Sequence, residues 1–276
     1  MTIRPVVKTV KGTPTSDGAG VRLTRVLGTP EVQMFDPFLM LDHFNTDDAG
    51  DYIGGFPDHP HRGFETVTYM LDGRMRHADN TGREGVIGTG GVQWMRAGRG
   101  IVHSEMPEQA EGRMRGFQLW VNLPARLKMS DPGYQEFEAG QIPSEHRGGG
   151  VEVKAIAGTT SRGLAGPVGG GAVDALYFDV ALPAGARFAE PVAGERNAML
   201  VVYEGAVTVA GTRVEALGGA FLGAGDEVVA EAVSDAHFLL IAGKPIGEPV
   251  AWAGPFVMNS REEVQQAFAD FQAGRF

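Results

Sequence analysis

No cysteine occurs among the 276 residues. That absence removes disulfides, thiolate nucleophiles, iron–sulfur clusters and cysteine-ligated zinc together, so any metal must be held by nitrogen and oxygen. No apolar run approaches the roughly 20 residues that span a bilayer, and no membrane segment is expected. Lysine is scarce and the formal net charge is −10. A field of that sign repels a phosphate backbone, which argues against direct nucleic-acid binding. Met1 to Val10 carries Arg4 and Lys8 without a continuous apolar segment. A secretory signal is therefore not expected, and the cytoplasm is the expected compartment.

Glycine is abundant instead, with 41 residues and no period, a composition suited to tight turns between short strands. Glu65 to Leu71 is rich in β-branched and aromatic residues and runs into Asp72-Gly73, a hairpin signal. Met199 to Tyr203, Glu204-Gly205 and Ala206 to Ala210 read as a second hairpin. Gly116 to Leu123 alternates Phe117, Leu119, Val121 and Leu123 with Gln118, Trp120 and Asn122, a strand with two different faces. One helix is expected near the end, where Ser260 and Glu263 form a capping box ahead of Val264, Ala267, Phe268 and Phe271.

Tyr69 to Gly73 resembles Val201 to Gly205, and Gly91 to Gly98 resembles Gly218 to Gly225. Two copies of one β unit are implied, of sandwich or jelly-roll type. The expected division is 1–140 and 141–276, with punctuation at Arg147 to Gly150 and a mobile loop over Arg162 to Gly171.

The chemistry concentrates in two short segments. His59-Pro-His61 and His103-Ser-Glu105 each place two donors two residues apart, on one face of a strand. A lone histidine pair is more often hydrogen-bonded structure than a ligand set, but here a second pair repeats the spacing. Three imidazoles and one carboxylate suit Fe(II), Mn(II), Ni(II) or Zn(II), with two positions of an octahedral ion left open for substrate or dioxygen. Counting the same offsets in the second copy lands on Pro191, Ala193, Ala230 and Ala232, so that copy is expected to be metal-free. His43 reads as a core or turn histidine and His77 as a solvated loop residue. Glu65 shares parity with His59 and His61 but is expected outside the ligand sphere. Arg62, Arg96 and Arg99 read as a solvated rim. Phe56 and Trp94 are candidates for a pocket wall and equally for core. The H-x-E of zinc deaminases lacks its cysteines here, and no P-loop or nucleophile elbow occurs.

These segments, with Phe35 to Phe38, Gly55 to Glu65, Trp94 to Pro107, Gln118 to Leu123 and Gly254 to Asn259, resemble the pirin family of the cupin superfamily. The resemblance implies an all-β bicupin, two antiparallel jelly-roll domains with a short C-terminal helix. It implies one divalent metal on His59, His61, His103 and Glu105, iron(II) foremost and Mn, Ni, Zn, Cu or Co as alternatives. Bacterial members are associated with quercetin 2,3-dioxygenase activity, which implies a flavonol-like aromatic substrate, dioxygen, and Glu105 as ligand and proton acceptor. Members in other organisms act as metal-dependent regulators through protein partners, the alternative reading.

Overall fold

The computed structural model describes residues 1–276 and divides them into two compact units. The first comprises Pro14–Gly28, Phe38–Ala139 and Ile246–Phe276; the second comprises Met1–Thr13, Thr29–Pro37 and Gly140–Pro245. The chain passes from one unit to the other between Ala139 and Gly140, at the expected division, but each unit also takes in segments from the other side of it. An open sheet edge needs hydrogen-bond partners, and strand pairing recruits them from distant sequence.

In the first unit a seven-stranded sheet runs β12 (Gly133–Phe137), β9 (Val92–Arg96), β6 (Phe64–Asp72), β11 (Met114–Asn122), β4 (Phe38–Thr46), β3 (Val21–Leu27) and β2 (Thr13–Asp17). A four-stranded sheet runs β5 (Phe56–His61), β10 (Ile101–Pro107), β7 (Met75–Asp79) and β8 (Glu84–Ile87). The second unit repeats both orders. Its large sheet is β1 (Val6–Lys11), β20 (Gly218–Leu222), β17 (Asn197–Glu204), β22 (Ala236–Gly243), β15 (Leu176–Leu182), β14 (Glu152–Ala157) and β13 (Ser144–His146). Its small sheet is β16 (Arg187–Pro191), β21 (Glu227–Ala232), β18 (Ala206–Val209) and β19 (Thr212–Glu215). The N-terminal strand β1 takes the edge beside β20 that β12 takes beside β9.

The two expected hairpins are absent. β6 pairs with β9 and β11 while β7 pairs with β8 and β10, so the Asp72-Gly73 turn carries the chain from one sheet to the other. Glu204-Gly205 does the same between β17 and β18. Gly73 and Gly205 hold φ of 93° and 66°; left-handed glycine suits a sheet-crossing corner as well as a hairpin. The segment from Arg162 to Gly171, expected to be a mobile loop, is instead tied down at several points. Thr160, Gly166 and Val168 donate backbone hydrogen bonds to Leu164, Gly158 and Ile156, and Val168 is buried.

The helix lies where its caps place it. α2, Arg261–Gln272, begins at Ser260 with both capping-box bonds formed, following the short helix α1, Ala125–Lys128. Val264 and Ala267 are buried, and Phe268 meets Phe256 of the small hairpin β23 (Ala251–Ala253)–β24 (Phe256–Met258), ring centroids 4.8 Å apart.

The interiors of the two units differ in chemistry. One cross-strand row of the first large sheet reads Arg25, Asp42, Gln118, Thr68, Gln93 and Glu136, each opposite the next. The matching row of the second reads Ala155, Phe178, Leu240, Leu200, Ala220 and Thr9. The first five of these are fully buried among apolar neighbours. One fold thus carries a polar row in one copy and an apolar row in the other.

Candidate metal centre

β5 and β10 are antiparallel neighbours with His59 opposite His103 and His61 opposite Ile101. Alternation along β5 puts His59 and His61 on one face, and the register brings His103 to the same place. Ring centroids lie 4.7 Å apart for His59–His61, 4.4 Å for His59–His103 and 5.1 Å for His61–His103. Each residue offers a ring nitrogen, and the three atoms lie within 4.8 Å of one another. Two metal–nitrogen bonds of ~2.1 Å span about 4.2 Å, close to that limit.

Hydrogen bonding leaves nitrogens available. Nδ1 of His61 and both ring nitrogens of His103 are buried without a hydrogen-bond partner. His59 Nδ1 lies 2.8 Å from the Pro57 carbonyl, which only accepts. Nδ1 therefore donates there, which leaves Nε2 as the ring nitrogen that can face an ion. Burial, with the neighbouring His103 and His59, holds His61 well below the ordinary imidazole range. Burial also brings His103 down to about 4, against the pull of Glu105. Imidazole nitrogens with a lone pair to give are metal donors, and this clustered trio fits a divalent ion.

Glu105 stands apart from the 4.8 Å cluster. It is buried two residues beyond His103, where β10 bulges against β5. Thr68 Oγ1 donates to its Oε1 at 3.0 Å and Gln118 Nε2 donates to its Oε2 at 2.7 Å. Both donors belong to the polar row of the large sheet. Glu65 is elsewhere: it accepts from Trp94 Nε1 and Arg96 Nε, each at 2.9 Å. Gly63, at φ 90° and with no room for a Cβ beside the Val257 carbonyl, breaks the alternation between His61 and Glu65. Parity counted across such a glycine does not hold.

A cavity of about 460 Å³ opens onto His59 and His61. Its walls include Phe56, Trp120 and Trp252, with Arg25, Asp17, Asp42 and Gln118 as polar members. Trp120 lies 5.1 Å from His61 and 5.9 Å from Trp252, centroid to centroid. Trp94 is buried against Glu65 and does not line the cavity.

Other histidines and arginines show what the sequence concealed. His43 is buried and stacks on Phe117 at 4.6 Å. His77 is not a solvated loop residue; it is buried on β7, with Nε2 2.6 Å from Glu136 Oε1. Arg62 is not a rim residue. Its Nη1 donates to Asp270 at 2.7 Å, and its guanidinium lies 4.3 Å over the Phe276 ring. Arg96 pairs with the buried Glu65, and Arg99 with the exposed Asp131. Gln118, Thr68, Arg25 and Trp252 escaped the sequence reading of the site. The only advance signal was the polar face of Gly116 to Leu123, which carries Gln118 and Trp120.

Comparison with known proteins bears on the whole chain. The family model described as Pirin matches residues 20–121, and the one described as Pirin C-terminal cupin domain matches residues 177–276. A pirin-like protein of Caulobacter vibrioides is 75% identical over 276 residues, covering 100% of both sequences. Pirin of Homo sapiens is 43% identical, covering 93% of this chain and 88% of its own. A crystal structure of quercetin 2,3-dioxygenase from Acinetobacter baumannii gives a TM-score of 0.93 at 34% identity, over 99% of this chain and 98% of that one. With its duplicated cupin-type jelly roll, its histidine cluster in one copy and these matches from end to end, the chain belongs to the pirin family.

Proposed function

We propose that the chain is a metal-dependent dioxygenase of the quercetin 2,3-dioxygenase type, opening a flavonol ring with dioxygen. Iron(II) is the proposed ion, held by His59, His61, His103 and Glu105. The observation that carries this reading is the cluster of three imidazoles, with Nδ1 of His61 and both nitrogens of His103 lacking hydrogen-bond partners, beside an aromatic-walled cavity of about 460 Å³. The name of the Acinetobacter baumannii structure supports the substrate class. The donor-bearing unit is the proposed metal domain. In the second unit the strands matching β5 and β10 place Phe188, Val228 and Ala230 in an apolar core, which supports a metal-free role there.

A bound iron(II) would supply Lewis acidity and an electron source for dioxygen. The chain supplies the rest. Trp120 and Trp252 offer faces on which a flat ring stacks, and Phe56 closes the wall. Glu105 takes the hydroxyl proton of the flavonol, which makes the ring electron-rich. Gln118 and Thr68 fix the Glu105 oxygens from the opposite sheet, so the carboxylate meets its proton pre-aligned. Dioxygen then adds to the ring, which opens with loss of carbon monoxide.

The test is aerobic incubation of iron-loaded protein with quercetin, following ring opening by absorbance and carbon monoxide by gas analysis. Turnover that His61→Ala abolishes is expected. An inert protein with full metal occupancy would sink the proposal.

A further inference from the structure

The Arg25–Asp42 pair is used by neither the metal centre nor Glu105, yet it lines the same cavity. Arg25 on β3 stands opposite Asp42 on β4. Its Nε donates to Asp42 Oδ1 at 2.8 Å, and its Nη2 donates to Asp42 Oδ2 at 2.7 Å and to Asp17 Oδ2 at 3.0 Å. A guanidinium has five N–H donors; these contacts use three and leave Nη1 without an acceptor in the protein. The Asp42 carboxylate is 4% exposed and the Arg25 side chain 23%. The fork is therefore rigid, and its remaining donors have access to the cavity.

A pair that served only to join two strands would be expected in both copies of the fold. The second unit instead has Ala155 opposite Phe178, with a register shift one step further in each case. Those residues are fully buried in the apolar core. The ion pair thus accompanies the cavity and not the sheet. It begins the polar row that continues through Gln118 and Thr68, the two residues holding Glu105. From Arg25 on β3 to Gln118 on β11 is two strand spacings, ~10 Å, and both line the cavity with His59 and His61, which leaves room for a two- or three-ring planar molecule between the guanidinium and the histidine face.

We propose that Arg25, clamped by Asp42 and Asp17, is a specificity-determining residue whose Nη1 donates to an oxygen acceptor on the aromatic ligand, at the end away from the metal. This rests on the cavity being the substrate site proposed above. The ligand class is a flat aromatic bearing a carbonyl, hydroxyl or phenolate oxygen remote from its metal-bound end.

The test measures binding to metal-loaded protein kept free of dioxygen, by quenching of tryptophan fluorescence, so it does not depend on turnover. The probes are quercetin and 3-hydroxyflavone, which lacks the peripheral hydroxyls. Arg25→Lys keeps the charge without the fork. Because Arg25→Ala would strand a buried carboxylate, the second variant is the double change Arg25→Met with Asp42→Leu, which removes both partners. Both variants are expected to weaken quercetin binding about tenfold and to leave 3-hydroxyflavone unchanged. Equal losses for both probes, unchanged quercetin affinity, or no binding by the parent protein would overturn the assignment. If quercetin binds with this dependence but is never opened, the oxygenase reading falls and the recognition role stands.

Discussion

Gln118→Leu removes the hydrogen bond to Glu105 at the proposed metal centre, together with the longer one of 3.4 Å that Gln118 Oε1 accepts from Trp120 Nε1, while keeping most of the side-chain volume. Gln118 Nε2 donates to Glu105 Oε2 at 2.7 Å, and Glu105 is buried with Thr68 as its other partner. A hydrogen bond to a charged group is worth about 1.5–3 kcal/mol. Loss of a partner that orients a ligand costs roughly 10–100-fold in metal affinity, about 1.4–2.7 kcal/mol. The two ranges coincide, so a rise of roughly 10–100-fold in the dissociation constant for iron(II) is expected. Anaerobic titration against a competing chelator measures it, with circular dichroism to show that the fold survives. An unchanged affinity would refute Glu105 as a ligand, even if turnover collapsed, and would leave the carboxylate only its proton-accepting part.

Three other sites give further expected outcomes. His43 is pushed down to about 3, chiefly by burial and then by Arg115; the folded chain stays unprotonated there while the unfolded chain takes up a proton near the ordinary value of about 6.5. Its contribution is present above that pH and lost as pH falls from about 6.5 toward 3, by as much as ~5 kcal/mol. Urea denaturation at pH 7 and pH 4.5 should show a smaller drop for His43→Phe than for the parent, and equal drops would count against burial as the cause. Lys128 donates from Nζ to Gly63 O, Asn122 Oδ1 and Val257 O, at 2.7, 2.7 and 2.8 Å, and burial pushes it down to about 8. The unfolded chain then holds more protons between pH 8 and about 10.4, so stability rises with pH across that window; Lys128→Met should flatten the rise in denaturation midpoints. Phe276→Ala removes the ring under Arg62, which follows His61, and should lower the melting temperature by a few degrees for about 1 kcal/mol of lost cation–π contact; no change in a thermal melt would show that the C-terminal ring carries no stability.

What sequence alone determined here is what spacing and local chemistry can specify. A spacing of two between donors on a strand means a shared face whatever the fold, so His59, His61 and His103 were legible before their strands were placed. The capping box at Ser260 and Glu263 is equally local, and the helix starts there. The duplicated Gly-bounded segments announced the repeat because turn chemistry travels with the chain. Tertiary structure decided everything that depends on which strand lies beside which. The Asp72-Gly73 turn is the same glycine corner in a hairpin or a sheet crossing, and only the partners of β6 and β7 distinguish them. Glu65, already expected outside the ligand sphere, is parted from His61 because the chain crosses at Arg62-Gly63 from β5 in the small sheet to β6 in the large one. Gln118 and Thr68 come to Glu105 from the opposite sheet, and Trp252 reaches the cavity from far down the chain beyond Trp120. The polar row from Arg25 to Glu136 is drawn from six strands, and beyond the polar face that carries Gln118 it is not visible in any one of them, because register is a property of the assembled sheet.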